Sequence, residues 1–218
     1  EHFVDVLDAK QDALGNDLLL AVHKHFVRHN FTYVLDGGTL IGAALYGGRI
    51  PWDDDYDVYA LRAEQDKIIE SITNTKTGLA FTAGADHTYG KIFNASIAPT
   101  SRAWSWPFVD VGWLDVNNTH AREWRGTTNA RYARNQYPND WLFPPTEVPF
   151  GSLRLRAPAR PDLFLSYRYG NSWRDRCVRS AYNHISESFW HAGKKDIVLT
   201  RCPARVRFDS THRLSVLP

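Results

Sequence analysis

Tyr33-Val-Leu-Asp36-Gly37-Gly38-Thr39-Leu-Ile-Gly42-Ala-Ala-Leu-Tyr46-Gly47-Gly48-Arg-Ile-Pro51-Trp52-Asp53-Asp54-Asp55-Tyr56-Asp57-Val58-Tyr-Ala-Leu61 is the stretch that decides the fold. Tyr33 to Leu35 is a short apolar run and reads as a strand. A Gly37-Gly38-Thr39 turn follows, with Thr39 placed to cap a helix through its hydroxyl. Leu40 to Tyr46 reads as that helix. Gly47-Gly48 ends it, and Pro51-Trp52 forces an extended re-entry. The acids come next. On a strand, side chains alternate with a period of two, so Asp53, Asp55 and Asp57 share one face while Tyr56 and Val58 take the other. Carboxylates crowded on one face repel one another unless a cation joins them. Mg²⁺ binds through one or two carboxylates plus waters and phosphate oxygens. The amides of the Gly37-Gly38-Thr39 helix start suit an anion. Acid clusters taken alone are often solvated loops. This one follows strand, turn and helix and runs into an apolar strand.

Leu35-Asp36-Gly37-Gly38-Thr39-Leu40-Ile41-Gly42 together with Ile50-Pro51-Trp52-Asp53-Asp54-Asp55-Tyr56-Asp57-Val58 resembles the LicD/fukutin family. The resemblance extends over roughly Leu14 to Trp173. It implies an α+β domain of the nucleotidyltransferase fold shared with DNA polymerase β, a mixed sheet flanked by helices. Members of the family move a phospho-substituent, such as phosphocholine or ribitol phosphate, from a CDP-activated donor to a sugar hydroxyl. The resemblance therefore implies a CDP donor and a glycan acceptor.

Composition bounds the rest. The chain has 218 residues, enough for one core, and a formal charge of +2, so charge alone gives no argument for nucleic acid. We expect one domain over 1–218, with an N-terminal helical segment at 1–30 and a basic C-terminal extension at 174–218. No apolar run reaches bilayer length. The chain begins Glu1-His2-Phe3 and holds no Met, which reads as a processed product whose signal peptide or membrane anchor, if any, lay upstream. Cys177 and Cys202 are too few for a cysteine-only zinc site, which some family members carry, and no zinc is expected. They read as one disulfide in an oxidising compartment or as two buried thiols. Sequons at Asn30, Asn94 and Asn117 join the disulfide in favouring the secretory pathway, the Golgi lumen or secretion.

Asp5 to His29 reads as an amphipathic helix with Leu14, Leu18, Val22 and Phe26 as its stripe, weakened or split at Gly15-Asn16. His23, His25 and His29 lie on it and read as a solvated face. Arg62 to Thr73 reads as a helix. Leu79 to Thr82 and Thr88 to Phe93 read as paired strands across Gly84 to His87, with Lys91 either a donor-phosphate ligand or an exposed strand lysine. Arg122, Arg125, Arg131 and Arg134 form a polar stretch, either a phosphate wall or a solvated helix. Trp141 to Gly151 reads as extended with turns, Leu153 to Arg156 as a strand and Asp162 to Tyr169 as a helix ended by Gly170. His184 to His191 reads as helical. Arg201, Arg205, Arg207 and Arg213 give the tail a positive face.

Asp110 lies between apolar neighbours in Phe108-Val-Asp-Val-Gly-Trp113, a costly place for an acid without a partner. The resemblance makes it the third active-site carboxylate and leaves Asp115 structural. It implies Asp55 and Asp57 as ligands of Mg²⁺ or Mn²⁺, Asp110 as a ligand that also takes the acceptor proton, and Asp53 as a secondary ligand. Gly37, Gly38 and Thr39 would grip donor phosphates, with Asp36 orienting the turn and Trp52 and Tyr56 flanking it or simply packing. Two other readings remain: a nucleotide-sugar glycosyltransferase using the acids for Mn²⁺, and a non-catalytic glycan-binding member of the fold.

Overall fold

The computed structural model describes residues 3–74, 76–84, 88–99, 102–124, 136–190, 195–200 and 202, and the backbone of 206–208 and 214–216. Helix α1 (Ala9–Arg28) starts on a reciprocal cap: Gln11 N–H donates to Asp8 Oδ1 and the Gln11 side chain accepts from Asp8 N–H. It is unbroken. Gly15 is buried, and a Cβ there would lie 2.6 Å from the Tyr56 hydroxyl oxygen, so this glycine admits a tyrosine rather than breaking the helix. The core face is Leu18, Leu19, Val22 and Phe26, while Leu14 is 38% exposed. A strict four-residue step overshoots the 3.6-residue turn, and three steps carry Leu14 off the buried face.

Strand β1 (Tyr33–Leu35) leads to α2 (Gly37–Tyr46), then β2 (Tyr56–Leu61), a 3₁₀ turn, α3 (Gln65–Thr73), β3 (Leu79–Ala83), β4 (Tyr89–Asn94) and β5 (Phe108–Val116). The sheet order is β1-β2-β5-β4-β3. Strands β2 and β5 are parallel and central; β1, β4 and β3 run antiparallel to their neighbours. Strands β6 (His120–Glu123) and β7 (Gln136–Pro138) extend the sheet from the end of β5. This mixed sheet under helices is the expected α+β arrangement. Its core includes Val34, Leu35, Ile68, Ile92, Val109, Val111 and Trp113, all fully buried.

A short helix α4 (Asn139–Leu142) stands where an extended run was expected, because Leu142 is drawn fully into the core. A hairpin of β8 (Thr146–Phe150) and β9 (Leu153–Ala157) turns at Phe150-Gly151 and precedes α5 (Pro161–Tyr169). The remaining described chain forms small pairs: β10 (Cys177–Arg179) with β13 (Ile197–Leu199), β11 (Tyr182–Asn183) with β12 (Ser188–Phe189), and β14 (Val206–Phe208) with β15 (Leu214–Val216). The expected helix from His184 is thus a tight hairpin. Asn183 Oδ1 accepts the N–H groups of Ile185 and Ser186 and holds the turn. Cys177 and Cys202 are disulfide-bonded.

Of the three histidines expected on a solvated face, His29 is exposed, whereas His23 and His25 are not. His25 is buried with Nε2 2.8 Å from Ser71 Oγ, and His23 Nδ1 lies 2.6 Å from the Tyr33 hydroxyl. Asn30 and Asn117 are exposed and Asn94 is half-buried. Arg125, Arg131, Arg134, Arg201, Arg205 and Arg213 lie outside the described residues, as do residues 85–87 of the expected β3–β4 turn. Among the described residues no helix is long and apolar enough to cross a membrane.

Candidate active site

The central pair of strands brings the acids together. Asp57 of β2 and Asp110 of β5 are register partners, and Asp55 stands just before β2. Asp55, Asp57 and Asp110 each offer a carboxylate oxygen, and these oxygens all lie within 4.8 Å of one another. Asp53 is not in this trio. It precedes the strand, where alternation no longer holds, and its carboxylate lies against Gly38.

Helix α2 starts at Gly37, two residues before Thr39, so Thr39 is not the cap. Its hydroxyl instead accepts the Asp57 N–H at 2.8 Å, tying the helix start to the acid strand. Gly37 has φ +53°, which a side chain would strain. A Cβ at 37 would also strike the Asp57 carboxylate, and one at 38 the Asp53 carboxylate. The two glycines thus let the Asp57 and Asp53 carboxylates lie directly against the start of the helix. Asp36, the residue before α2, is buried and paired with Arg168 of α5 at 2.9 Å, and Arg168 also donates to the Tyr59 hydroxyl at 2.6 Å.

Arg49 shapes the approach to the acids. Its side chain is 6% exposed, donates to the carbonyls of Ile50, Pro51 and Asp53, and pairs with Asp5 and Asp12. That clamp fixes the turn from which Asp53 to Asp57 emerge.

Lys91 of β4 is the register partner of Asp110 and donates to its Oδ1 at 2.6 Å. It is buried, with its ammonium 3.5 Å from the centre of the Phe108 ring, so it is not an exposed strand lysine. Asp115 pairs with Arg62 and Arg122 away from the trio, a structural role.

The electrostatics follow from crowding in a buried place. Burial, then Asp57 and Asp54, pushes Asp53 up to about 7. Burial, then Asp53 and Asp110, holds Asp55 well above the usual carboxylate range; burial, then Asp55 and Asp110, does the same to Asp57. Burial raises Asp110 as well, while Lys91 pulls it back. A donor set of crowded oxygen ligands, too close to ionise together, is what a hard divalent cation fits.

His184 was not anticipated. It enters from the C-terminal segment, with Nε2 3.3 Å from Asp55 Oδ2 and its backbone N–H donating to Asp54 Oδ2 at 2.8 Å. Nothing local in Tyr182-Asn-His-Ile marks it, because its partners are about 130 residues away. Arg168 was missed for the same reason.

Two cavities flank Asp57. One, about 300 Å³, is walled by Ile41, Tyr46, Trp52, Tyr169, Trp173 and Val178, with Asp53 and Asp57 also lining it. Trp52 is held there by its indole N–H donating to Val178 O at 3.0 Å, whereas Tyr56 lies in the core. The other, about 220 Å³, is polar and lined by Asp36, Asp57, Asp110, Glu123 and Arg168.

A family model described as LicD/FKTN/FKRP, nucleotidyltransferase domain, matches residues 30–160. Over 61 residues, 28% of this chain, the sequence is 51% identical to the lipopolysaccharide cholinephosphotransferase LicD of Haemophilus influenzae, covering 23% of that protein. An uncharacterized protein of Rickettsia prowazekii is 23% identical over 157 residues, 70% of this chain and 52% of that one. The matches thus span about a quarter and about half of these relatives' lengths. Among solved structures, the lincomycin-bound lincosamide antibiotic adenylyltransferase LnuA is similar at a TM-score of 0.45 and 15% identity, covering 71% of this chain and 85% of that one.

Proposed function

The chain belongs to the LicD/FKTN/FKRP nucleotidyltransferase-domain family, and from that premise we propose that it is a divalent-cation-dependent phosphotransferase. It moves a phospho-substituent from a CDP-activated donor to a glycan hydroxyl. The observation that carries this reading is the convergence of Asp55, Asp57 and Asp110 beside a helix start whose glycines, Gly37 and Gly38, let the acids approach closely. The trio would hold Mg²⁺ or Mn²⁺, with Asp53 in reserve. When bound, the cation neutralises charge developing on the phosphoryl oxygens.

The chain's own groups supply the rest. The first amides of α2 would orient donor phosphate oxygens. Thr39 keeps that helix start in register with Asp57. Lys91, on Asp110, sets that carboxylate's direction and adds positive charge at the transferring group. Asp110 accepts the acceptor hydroxyl's proton as its oxygen attacks phosphorus and CMP leaves. The cavities on either side of Asp57 give donor and acceptor separate approaches. The aromatic wall of Tyr46, Trp52, Tyr169 and Trp173 suits an apolar or cationic headgroup. The name of the Haemophilus relative is consistent with phosphocholine as the group moved. The disulfide agrees with action in an oxidising compartment such as the secretory pathway.

The test is calorimetric binding of CDP, CMP and UDP, each with Mg²⁺, Mn²⁺ or chelator. Cation-dependent preference for the cytidine nucleotides is expected. Preference for UDP would replace this reading with nucleotide-sugar transfer, and no binding under any cation would leave a non-catalytic member of the fold.

A further inference from the structure

We propose that His184 is a further protein ligand of the cation held at Asp55, so that the C-terminal segment completes the metal site and tilts it towards Mn²⁺ over Mg²⁺. This rests on the metal-dependent reading above. It adds a residue that lies outside the stretch 30–160 matched by the family model.

The placement of His184 is held from several sides. Its backbone N–H donates to Asp54 Oδ2, and Asp54 is buried, with its carbonyl accepting the Trp106 indole N–H at 2.7 Å. The imidazole meets the Phe108 ring edge to face, with ring centres 5.3 Å apart. Phe108 opens β5, the strand that carries Asp110. On the far side of the hairpin, Glu187 accepts from the Trp104 indole at 3.0 Å and the Tyr182 hydroxyl at 3.1 Å. The Cys177–Cys202 disulfide closes the chain around this hairpin. A histidine fixed by backbone, ring and hairpin contacts is pre-positioned.

The donor atoms then form a second mixed group. Asp54, Asp55 and His184 each offer one ligand atom, all within 4.8 Å of one another, and Asp55 is shared with the Asp55-Asp57-Asp110 trio. The difference between the groups is chemical. The trio is all oxygen, which suits Mg²⁺, whereas an imidazole nitrogen adds affinity for transition divalent ions and little for Mg²⁺. An imidazole at the edge of a carboxylate cluster therefore alters which cation is held.

The experiment uses the full chain with its disulfide intact, stripped with chelator and loaded with Mn²⁺. Pulsed electron paramagnetic resonance reads nitrogen coupled to the bound ion. Titration reads Mn²⁺ and Mg²⁺ affinities for the wild type, His184→Ala and the bulkier His184→Gln. We expect an imidazole nitrogen coupling in the wild type that both variants lose. Mn²⁺ affinity should fall about tenfold or more, and Mg²⁺ affinity should change far less. Mn²⁺ bound without nitrogen coupling would overturn the role of His184 and leave the phosphotransferase reading intact. So would equal losses for both cations. Absence of any Mn²⁺ binding that depends on Asp55 and Asp57 would overturn both. The wild-type spectrum needs no variant, so a misfolded substitution does not protect the proposal.

Discussion

The two halves of the candidate site are built differently. The acid half lies on the central parallel strands β2 and β5, with Val58, Val109 and Val111 buried behind it. The histidine half lies in a turn among strands of two or three residues that, among the described residues, form two-stranded pairs, within a loop closed by the Cys177–Cys202 disulfide. Long central strands resist opening because their hydrogen bonds break only with the core; short exposed pairs open locally at low free energy. The contrast separates a rigid acid cluster from a cover that shapes the cavity and places His184. Val178, the Trp52 acceptor, is itself 45% exposed, which marks the cover as the softer side.

The largest effect is expected at Arg168 of α5. It joins α5 to the helix start by pairing with buried Asp36, and Arg168→Ala removes that buried ion pair together with the hydrogen bond to the Tyr59 hydroxyl. We expect a loss of about 3–5 kcal/mol in unfolding free energy, read by chemical denaturation. A loss below about 1 kcal/mol would mean that the acid half is less rigid than described.

Asp57→Asn should separate catalysis from stability. Turnover is expected to fall on the order of 10²–10³-fold, while unfolding of chelated protein shows no loss, because one member of a repelling cluster is gone. Unchanged turnover would remove Asp57 from the reaction.

Replacing both Cys177 and Cys202 with Ser tests the cover. The bridge spans a sequence separation of 25, for which loop closure contributes about 3.5 kcal/mol. Hydrogen exchange should quicken at the β10 and β13 amides and stay slow in β2 and β5. Equal quickening in both would show that the halves unfold as one unit.

The smallest effect is the cation's own, and it carries a sign. Asp53, Asp55, Asp57 and Asp110 all hold protons more tightly in the folded chain than the ordinary carboxylate does. Between an unfolded pKa of about 3.9 and the raised folded values the native state binds more protons, so these groups lower stability as pH rises. Asp53 carries that loss to about pH 7. A cation replaces those protons. The thermal stabilisation by Mn²⁺ should therefore grow from pH 5 to pH 8, reaching about 2.7 kcal/mol at a hundredfold excess over Kd. Stabilisation independent of pH would place the cation elsewhere.

Much of the acid half was legible because its signals are local. Alternation along Asp55-Tyr56-Asp57-Val58, the paired glycines that open α2 and the apolar frame around Asp110 each lie within a few residues. The readings that failed did so where local pattern and long-range contact disagree. Gly15 looked like a helix break, yet it leaves room for Tyr56, 41 residues on. Thr39 has the chemistry of a cap, but the Asp57 amide takes its hydroxyl. His184 sat in a stretch read as helix, and the Asn183 turn, the Asp54 carboxylate and the Phe108 ring fix it otherwise.

The sequence by itself determined the strand-turn-helix-strand order, the shared face of Asp55 and Asp57 and the cysteines available to pair, because backbone preference and side-chain alternation act over single turns and pleats; Asp110 joined the acids through the family resemblance, and Asp53 fell away from them. Tertiary structure alone decided that Lys91 belongs to Asp110, that Arg168 holds Asp36 and that a distant hairpin brings an imidazole to Asp55. Those pairings depend on strand register and chain crossing, which join residues 19, 132 and about 130 positions apart and leave no periodic trace in either partner.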